Sequence, residues 1–290
     1  MKTKRLSRRW ADMECICGLP SRKFTCVNYV GTFLLGVVFF AIFYGILLCF
    51  HDGRSQWIEM FFHGGEDQRS SIPYFTVFLG MWSAAILLVK RQKLRVQAKA
   101  LSLNILPEDP NFVLTCATAR QIIDKINDQV VDPKDFVLLD RILRALMNLR
   151  NLGNVSAVAE CLKSQAGNDD ETLHSSYTIL KGFLWAIPVL GFIGTVLGLS
   201  SAVGGFGQVV KQGVTDPHQL IDSLGGVTGG LAVAFETTLI ALVIALVVQL
   251  WMTMVVNQEE RFLDECSDYC HKNIISKIKS VDLMELPGES

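Results

Sequence analysis

Charge is scarce in this 290-residue sequence. Only 19% of its residues are charged, whereas half are hydrophobic and the mean hydropathy is +0.34. The 27 basic and 28 acidic side chains leave a formal net charge of −1, so the chain has no overall positive field with which to attract nucleic acid. The high apolar fraction also excludes a low-complexity disordered chain.

The motifs of several enzyme classes are also missing. The sequence contains no phosphate-binding Walker loop, no nucleophile elbow and no zinc-binding helix motif. Its five histidines are scattered, and its eight cysteines do not have the paired spacing of a zinc site. Cys266, Cys270 and His271 lie close together in the sequence, but we interpret them as ordinary side chains. The sequence therefore predicts neither an enzyme nor a bound metal or cofactor.

Four long apolar runs dominate the remaining sequence. The length of each suits a helix that crosses a hydrocarbon core of roughly 30 Å. The last two runs are longer than a bilayer requires, so we expect them to tilt or to extend beyond it. The predicted spans are residues 31–50, 73–89, 182–210 and 226–256. This pattern predicts an all-α integral membrane protein with four transmembrane helices.

The distribution of Lys and Arg predicts how the spans are oriented. Residues 1–30 carry seven of them and resemble the basic start of a signal peptide, but the apolar run that follows is too long and lacks a cleavage site, so we expect a retained anchor. Residues 90–100 carry five, whereas the predicted outer loops, residues 51–72 and 211–225, carry two and one. Because basic residues favour the cytoplasmic side, both termini are predicted to be cytoplasmic.

The insert between the second and third spans, residues 90–181, is predicted to be cytoplasmic and helical. Asp132 and Pro133 indicate a helix start, after which apolar residues recur at helical spacing: Phe136, Leu139, Ile142, Leu143 and Leu146. Three arginines of this helix form either a partner-binding face or, as we favour, a solvated surface: Arg141, Arg144 and Arg150. Residues 257–290 are predicted to continue as a cytoplasmic helix and a tail that frays at 281–290.

Small residues are concentrated on the third span. They recur at alternating spacings of three and four and so form one stripe along a helix, which includes Gly191, Gly194, Gly198 and Ala202. In lipid, such a stripe lets two helix backbones approach closely. Pro188 removes one backbone hydrogen bond near the cytoplasmic end and is a candidate hinge. Packing within the chain or between copies would by itself account for the glycines.

Polar residues inside the last two spans are the candidate functional groups. The fourth span contains Glu236, Thr237 and Thr238 in succession, so their side chains leave the helix about 100° apart. A carboxylate at this depth costs at least about 2.5 kcal/mol, and such residues commonly have a function. Glu236 is either functional or a neutral group that holds helices together, and both interpretations stay open. Together with Thr195 of the third span, the threonines suggest a polar lining.

Two sequence runs resemble a known family. IPVLGFIGTVLGL at residues 187–199 and GGLAVAFETTLIAL at residues 229–242, joined by a short outer loop, are similar to the two signature helices of the MotA/TolQ/ExbB ion-channel family. The resemblance covers roughly residues 182–256. Relatives of the ExbB type have an acidic residue one turn before Glu236, where this chain has Val233, so the subfamily is open.

The resemblance implies an assembly and a location. In this family five subunits surround two copies of a single-span partner of the MotB/TolR/ExbD type, whose membrane Asp carries the ion. We therefore expect a homopentamer in the bacterial inner membrane. Threonines that match Thr195 and Thr238 line the ion pathway, to which we add Thr237 and Glu236. The expected ion is the proton, and sodium stays possible because hydroxyl oxygens can bind a hard cation.

The resulting functional prediction is an ion-conducting subunit that couples ion flow to the movement of its partner. Flagellar rotation, outer-membrane energisation and another motor role are all compatible with it. The alternative is a non-conducting four-span scaffold whose insert recruits cytoplasmic proteins. The two differ in whether the chain assembles with a single-span partner.

Overall fold

The computed structural model describes residues 24–50, 61, 71–103, 105, 112, 114–152, 155–211 and 217–278. These residues are helical apart from turns, short connecting segments and an isolated β-bridge between Leu114 and Ile278. Most of the predicted N-terminal segment and of the first outer loop lies outside the described residues. The same holds for residues 212–216 of the second outer loop and for the predicted frayed end at 281–290.

Seven α-helices are found in the described part of the chain. They are α1 (Tyr29–Phe50), α2 (Ile72–Ala98), α3 (Cys116–Gln129), α4 (Val137–Leu152), α5 (Val155–Ser175), α6 (Thr178–Lys211) and α7 (Pro217–Asn273). A short 3-10 turn, Pro133–Asp135, lies between α3 and α4, and another, Ile275–Lys277, follows α7. Four of the helices, α1, α2, α6 and α7, are long and apolar enough to cross a membrane. The predicted all-α chain with four candidate spans is confirmed.

The chain divides into two compact units. The first, here called the span unit, comprises Tyr29–Leu88 and Tyr177–Met254. The second, here called the insert unit, comprises the described residues of Met1–Asn28, Val89–Ser176 and Val255–Ser290. Helices α2 and α7 each contribute residues to both units.

The apolar face of α4 lies in the core of the insert unit. Its predicted apolar positions are all at most 4% exposed: Phe136, Leu139, Ile142, Leu143 and Leu146. Side chains of α3, α5 and the end of α7 complete this core, among them Ile126, Val158 and Phe262. Burial of a large apolar side chain contributes roughly 1.5–3 kcal/mol. The predicted amphipathic helix is therefore confirmed, and it begins at Val137 after the turn Pro133–Asp135.

Arg141 corrects the prediction made for the arginines of α4. Its side chain is only 1% exposed, so it belongs neither to a solvated surface nor to an exposed partner-binding face. Its Nε donates to the Asp169 carboxylate at 2.7 Å and its Nη1 donates to the Ser267 hydroxyl at 2.8 Å. A buried guanidinium requires such partners, and they come from α5 and α7. Arg144, by contrast, is 57% exposed and pairs with Asp140 on its own helix.

A second buried charge lies where α2 enters the insert unit. The Lys90 ammonium donates to the Ser176 hydroxyl at 2.8 Å and to the Glu259 carboxylate at 3.4 Å. The side chains of Lys90 and Glu259 are at most 1% exposed. One turn later, Lys93 donates to the backbone carbonyl of Cys26 at 2.7 Å. These bonds connect the end of α2 with α7 and with the segments that precede α1 and α6.

Trp82 of α2 organises the apolar interior of the span unit. A Cβ added at Gly36 of α1 would lie 2.9 Å from the Trp82 Cα, so the two helices approach closely there. The indole nitrogen donates to the Thr32 hydroxyl at 3.4 Å, and the ring contacts Phe33 of α1 and Phe183 of α6. Aromatic contacts of this kind add to the burial of apolar surface and hold α2 against its neighbours.

Candidate functional site

Helices α6 and α7 form a tightly packed pair in the span unit. A Cβ added at Gly191 would lie 2.6 Å from the Ala241 Cβ, and one added at Gly194 would lie 2.5 Å from the Thr237 hydroxyl oxygen. Both distances are too short for a real carbon atom, so only glycine fits. In lipid, apolar surfaces gain little from meeting each other, and such close packing supplies the attraction between helices.

The register of the pair follows from further contacts along the stripe. A Cβ at Gly198 would lie 3.0 Å from the Ala234 Cβ and from the Gly230 carbonyl oxygen, and one at Gly230 would lie 2.9 Å from the Ala202 Cβ. Residue numbers rise along α6 as they fall along α7, so the helices are antiparallel. Helix α6 continues through Pro188 without interruption.

The hydroxyl groups of Thr195 and Thr238 meet between the two helices. They form a hydrogen bond with each other. The Thr195 oxygen lies 3.2 Å from the Gly191 carbonyl oxygen and 3.4 Å from that of Ala234. The Thr238 oxygen lies 3.0 Å and 3.3 Å from the same two carbonyl oxygens. The result is a cluster of four oxygen atoms, here called the threonine cluster, which spans the helix interface.

The threonine cluster has two hydroxyl protons but more acceptor oxygens within reach than these two protons can satisfy. Each hydroxyl carries one proton and two lone pairs, whereas the carbonyls only accept. If the Thr195 hydroxyl donates to Thr238, the Thr238 hydroxyl donates to a backbone carbonyl. If Thr238 donates to Thr195 instead, Thr195 donates to a carbonyl, and the oxygen atoms keep their positions. Two hydrogen-bond directions are thus available with little movement of heavy atoms. Such a group can hold or pass on a proton without adding a fixed charge to an apolar region.

The other two candidate residues, Thr237 and Glu236, do not belong to the threonine cluster. Thr237 is 3% exposed, donates to the Ala234 carbonyl at 2.9 Å and fills the space opposite Gly194. It therefore packs the interface beside the threonine cluster. Glu236 is half-buried, and because an α-helix turns about 100° per residue its side chain leaves α7 in another direction.

The outer faces of the pair are strongly apolar. Large side chains are more than 45% exposed along both helices, among them Phe192, Val196, Val203, Phe235, Leu242 and Leu246. Exposed apolar surface of this extent is unfavourable in water and signals contact with lipid or with other protein. The threonine cluster thus lies inside a helix pair whose remaining surface is suited to a membrane.

Two buried charge pairs were missed by sequence reasoning. Asp169 lies in the run NDDE, which resembles a solvated acidic segment, yet it is only 10% exposed beside Arg141. Burial raises the pKa of the Asp169 carboxyl, although the Arg141 guanidinium opposes the shift. For Lys90 and Glu259 a signal did exist, since each lies within three residues of the end of a predicted span. Lys90 indicates orientation, and Glu259 begins the predicted continuing helix, but nothing in the sequence pairs the two.

The thiols of the insert unit are buried. Cys266 and Cys270 are at most 2% exposed, and burial raises the pKa of each thiol from 9.0 to about 12. A thiol with such a pKa stays protonated at neutral pH and is a poor nucleophile. Both thiols are thus core side chains of the insert unit.

Comparison with known proteins gives one family match. The model of the MotA/TolQ/ExbB proton channel family matches residues 135–267, which include α4, α5, α6 and most of α7. No curated protein and no solved structure matches the chain. The family is one of proton channels and not an enzyme class, which supports an ion-channel role. The resemblance seen in the sequence is thereby supported over residues 135–267, which are similar to the MotA/TolQ/ExbB proton channel family.

Proposed function

We propose that this chain is the ion-conducting subunit of a membrane motor driven by an ion-motive force. In this proposal five copies surround a MotB/TolR/ExbD-like single-span partner in the bacterial inner membrane, with both termini in the cytoplasm. The partner contributes a membrane Asp that carries the ion. Proton flow is coupled to movement of the partner relative to the ring of subunits.

The threonine cluster is the observation that carries the proposal. It combines two hydroxyls with reversible hydrogen-bond direction inside an apolar helix pair. Neutral oxygens can solvate a transferred proton or an accompanying water without the large cost of a buried ion. The four oxygens are also suitable ligands for a hard cation, so sodium is the alternative ion in this proposal.

Thr237 and Glu236 have distinct roles in this proposal. Thr237 sets the separation of the helices by its contact with Gly194 and so positions the threonine cluster. Glu236 either exchanges protons along the pathway or donates a structural hydrogen bond as a neutral acid. Glu236→Gln separates the two, because an amide preserves hydrogen bonding and cannot exchange protons. Reduced flux with normal assembly supports the first role, and unchanged flux supports the second.

The decisive experiment replaces both threonines by valine, which removes the hydroxyls and keeps the shape of the side chains. We expect Thr195→Val combined with Thr238→Val to abolish proton flux in vesicles that contain chain and partner, while membrane insertion stays normal. Thr253→Val is the matched control, since Thr253 is exposed on α7 and its hydroxyl bonds the Gln249 carbonyl of its own helix at 3.0 Å. Full flux in the double variant would remove the threonines from the pathway.

One observation favours the alternative of a non-conducting scaffold. Each hydroxyl of the threonine cluster already lies within hydrogen-bond distance of backbone carbonyls, which is sufficient for a purely structural role. Purification with and without a single-span partner tests this alternative. A chain that stays monomeric and does not bind the single-span partner supports the scaffold. Co-purification of chain and partner in a fixed ratio supports the motor.

A further inference from the structure

Three arginines line one cleft of the insert unit. Arg91 and Arg95 lie one turn apart on α2, and Arg261 lines the same cleft from α7. The cleft has a volume of about 310 Å³, at the lower end of the range for small-ligand sites. Leu94 and Phe262 contribute buried apolar surface to its wall.

The charges around this cleft are not balanced. The lining contains three guanidinium groups and one carboxylate, that of Glu265. All three arginines are exposed, and in the part of the chain that the structure describes none of them forms an ion pair. Like charges placed together repel one another unless an anion lies between them. Guanidinium groups are also the side chains best shaped to bind phosphate oxygens in pairs.

The position of the arginines along their helices indicates the depth of the cleft. Arg91 and Arg95 follow the second predicted span, which ends at residue 89, by two and six residues, and Arg261 follows the fourth, which ends at residue 256, by five. At about 1.5 Å per residue, these side chains begin roughly 3–9 Å beyond the hydrocarbon core. The layer of lipid headgroups occupies about this depth.

We propose that this cleft binds the phosphate headgroup of an anionic phospholipid in the cytoplasmic leaflet. The guanidinium groups of Arg91, Arg95 and Arg261 donate to the phosphate oxygens. Anionic lipids are attracted to basic pockets next to spans on the cytoplasmic side, so both the charge and the depth favour a lipid over a free anion. The proposal rests on the orientation given under Proposed function, but not on ion conduction, because none of these residues belongs to the threonine cluster.

Native mass spectrometry of the purified full chain tests the proposal. The chain is incubated in detergent with equal amounts of phosphatidylglycerol and phosphatidylcholine, and the lipids retained are counted. We expect wild type to retain phosphatidylglycerol preferentially. The triple variant Arg91→Gln, Arg95→Gln and Arg261→Gln should weaken this retention on the order of a hundredfold, at roughly fivefold per arginine.

Two further variants keep the test decisive. Arg261→Gln alone leaves the basic cluster of residues 90–100 intact, so the chain keeps its orientation signal while retention should fall roughly fivefold. Arg120→Gln, an exposed arginine of α3, is the matched control and should change nothing. Unchanged retention in Arg261→Gln and in the triple variant overturns the proposal. Equal retention of both lipids by wild type, or displacement of phosphatidylglycerol by an equal concentration of inorganic phosphate, also overturns it.

Discussion

The hydroxyls of Thr195 and Thr238 lie against each other between antiparallel helices, and both reach the same two backbone carbonyls. The two residues are 43 positions apart, so their meeting depends on the register of α6 against α7. That register is set by glycines on α6 and by alanines and Thr237 on α7. Helix packing and the chemistry of the candidate pathway are therefore determined by the same contacts.

The first prediction concerns the hydroxyl and not the shape of Thr238. Thr238→Ser keeps the oxygen atom, and we expect it to retain most of the proton flux measured with the partner. Thr238→Val keeps the shape and loses the oxygen, and it should reduce flux roughly tenfold or more, since a hydrogen bond to a charged group contributes about 1.5–3 kcal/mol. Equal flux in the two variants would contradict a role for the hydroxyl.

The second prediction concerns the close approach at Gly194. Gly194→Ala places a carbon 2.5 Å from the Thr237 hydroxyl oxygen, so the helices must separate. We expect a loss of about 1–3 kcal/mol in stability and a lower Tm of the purified protein. Gly205→Ala, where nothing lies within 4 Å of the added carbon, is the control and should be neutral or stabilising. If Gly194→Ala had the same Tm as Gly205→Ala, helices α6 and α7 would tolerate a larger separation at Gly194, contrary to this prediction.

The third prediction concerns the buried guanidinium of α4. Arg141→Ala leaves the Asp169 carboxylate without its buried partner, and we expect a destabilisation of about 3–5 kcal/mol. Arg144→Ala removes a guanidinium that is 57% exposed, while the Asp140 carboxylate, 9% exposed, keeps its hydrogen bond from the Gln165 amide, so we expect a smaller loss of about 1 kcal/mol. Urea unfolding followed by circular dichroism measures both. Similar midpoints for the two variants would mean that Arg141 is not needed for folding.

The fourth prediction concerns stability at alkaline pH. In the folded state burial raises the pKa of Cys266 and Cys270 to about 12, whereas the unfolded thiols ionise near 9.0. The folded state therefore binds more protons above pH 9, and the stability that the thiols contribute, fully present below that pH, is lost as the pH rises towards 12. The loss is on the order of 1 kcal/mol per pH unit for each thiol.

The double variant Cys266→Ala and Cys270→Ala should flatten this pH dependence. Unfolding free energies at pH 8 and pH 10.5 measure the change, and Cys161→Ala, at a half-buried cysteine of α5, is the control. An equally steep alkaline loss in the double variant would assign the loss to other groups.

Much of the helical architecture could be predicted because it depends on local patterns. Span length follows from uninterrupted apolar runs, and the buried face of α4 follows from the spacing of Phe136, Leu139 and Ile142. Partners that lie far apart in the sequence could not be predicted in the same way. Arg141 bonds Ser267, which is 126 residues away, and nothing in either local sequence specifies that pairing.

The candidate site was predictable in composition but not in geometry. Polar residues in an apolar run identify Thr195, Glu236, Thr237 and Thr238 as unusual. Which of the three consecutive residues meets Thr195 depends on the rotation of α7 about its axis, which the glycine contacts determine. The sequence shows the stripe on α6 but not the residues of α7 that lie opposite each glycine.

The buried ammonium of Lys90 has a mechanical consequence. It joins α2, the turn that precedes α6, and α7 through Ser176 and Glu259. Pulling any of these three segments away from the others would leave a charge without compensation in a dry interior, which costs several kcal/mol. The three segments are therefore expected to separate together and not one at a time.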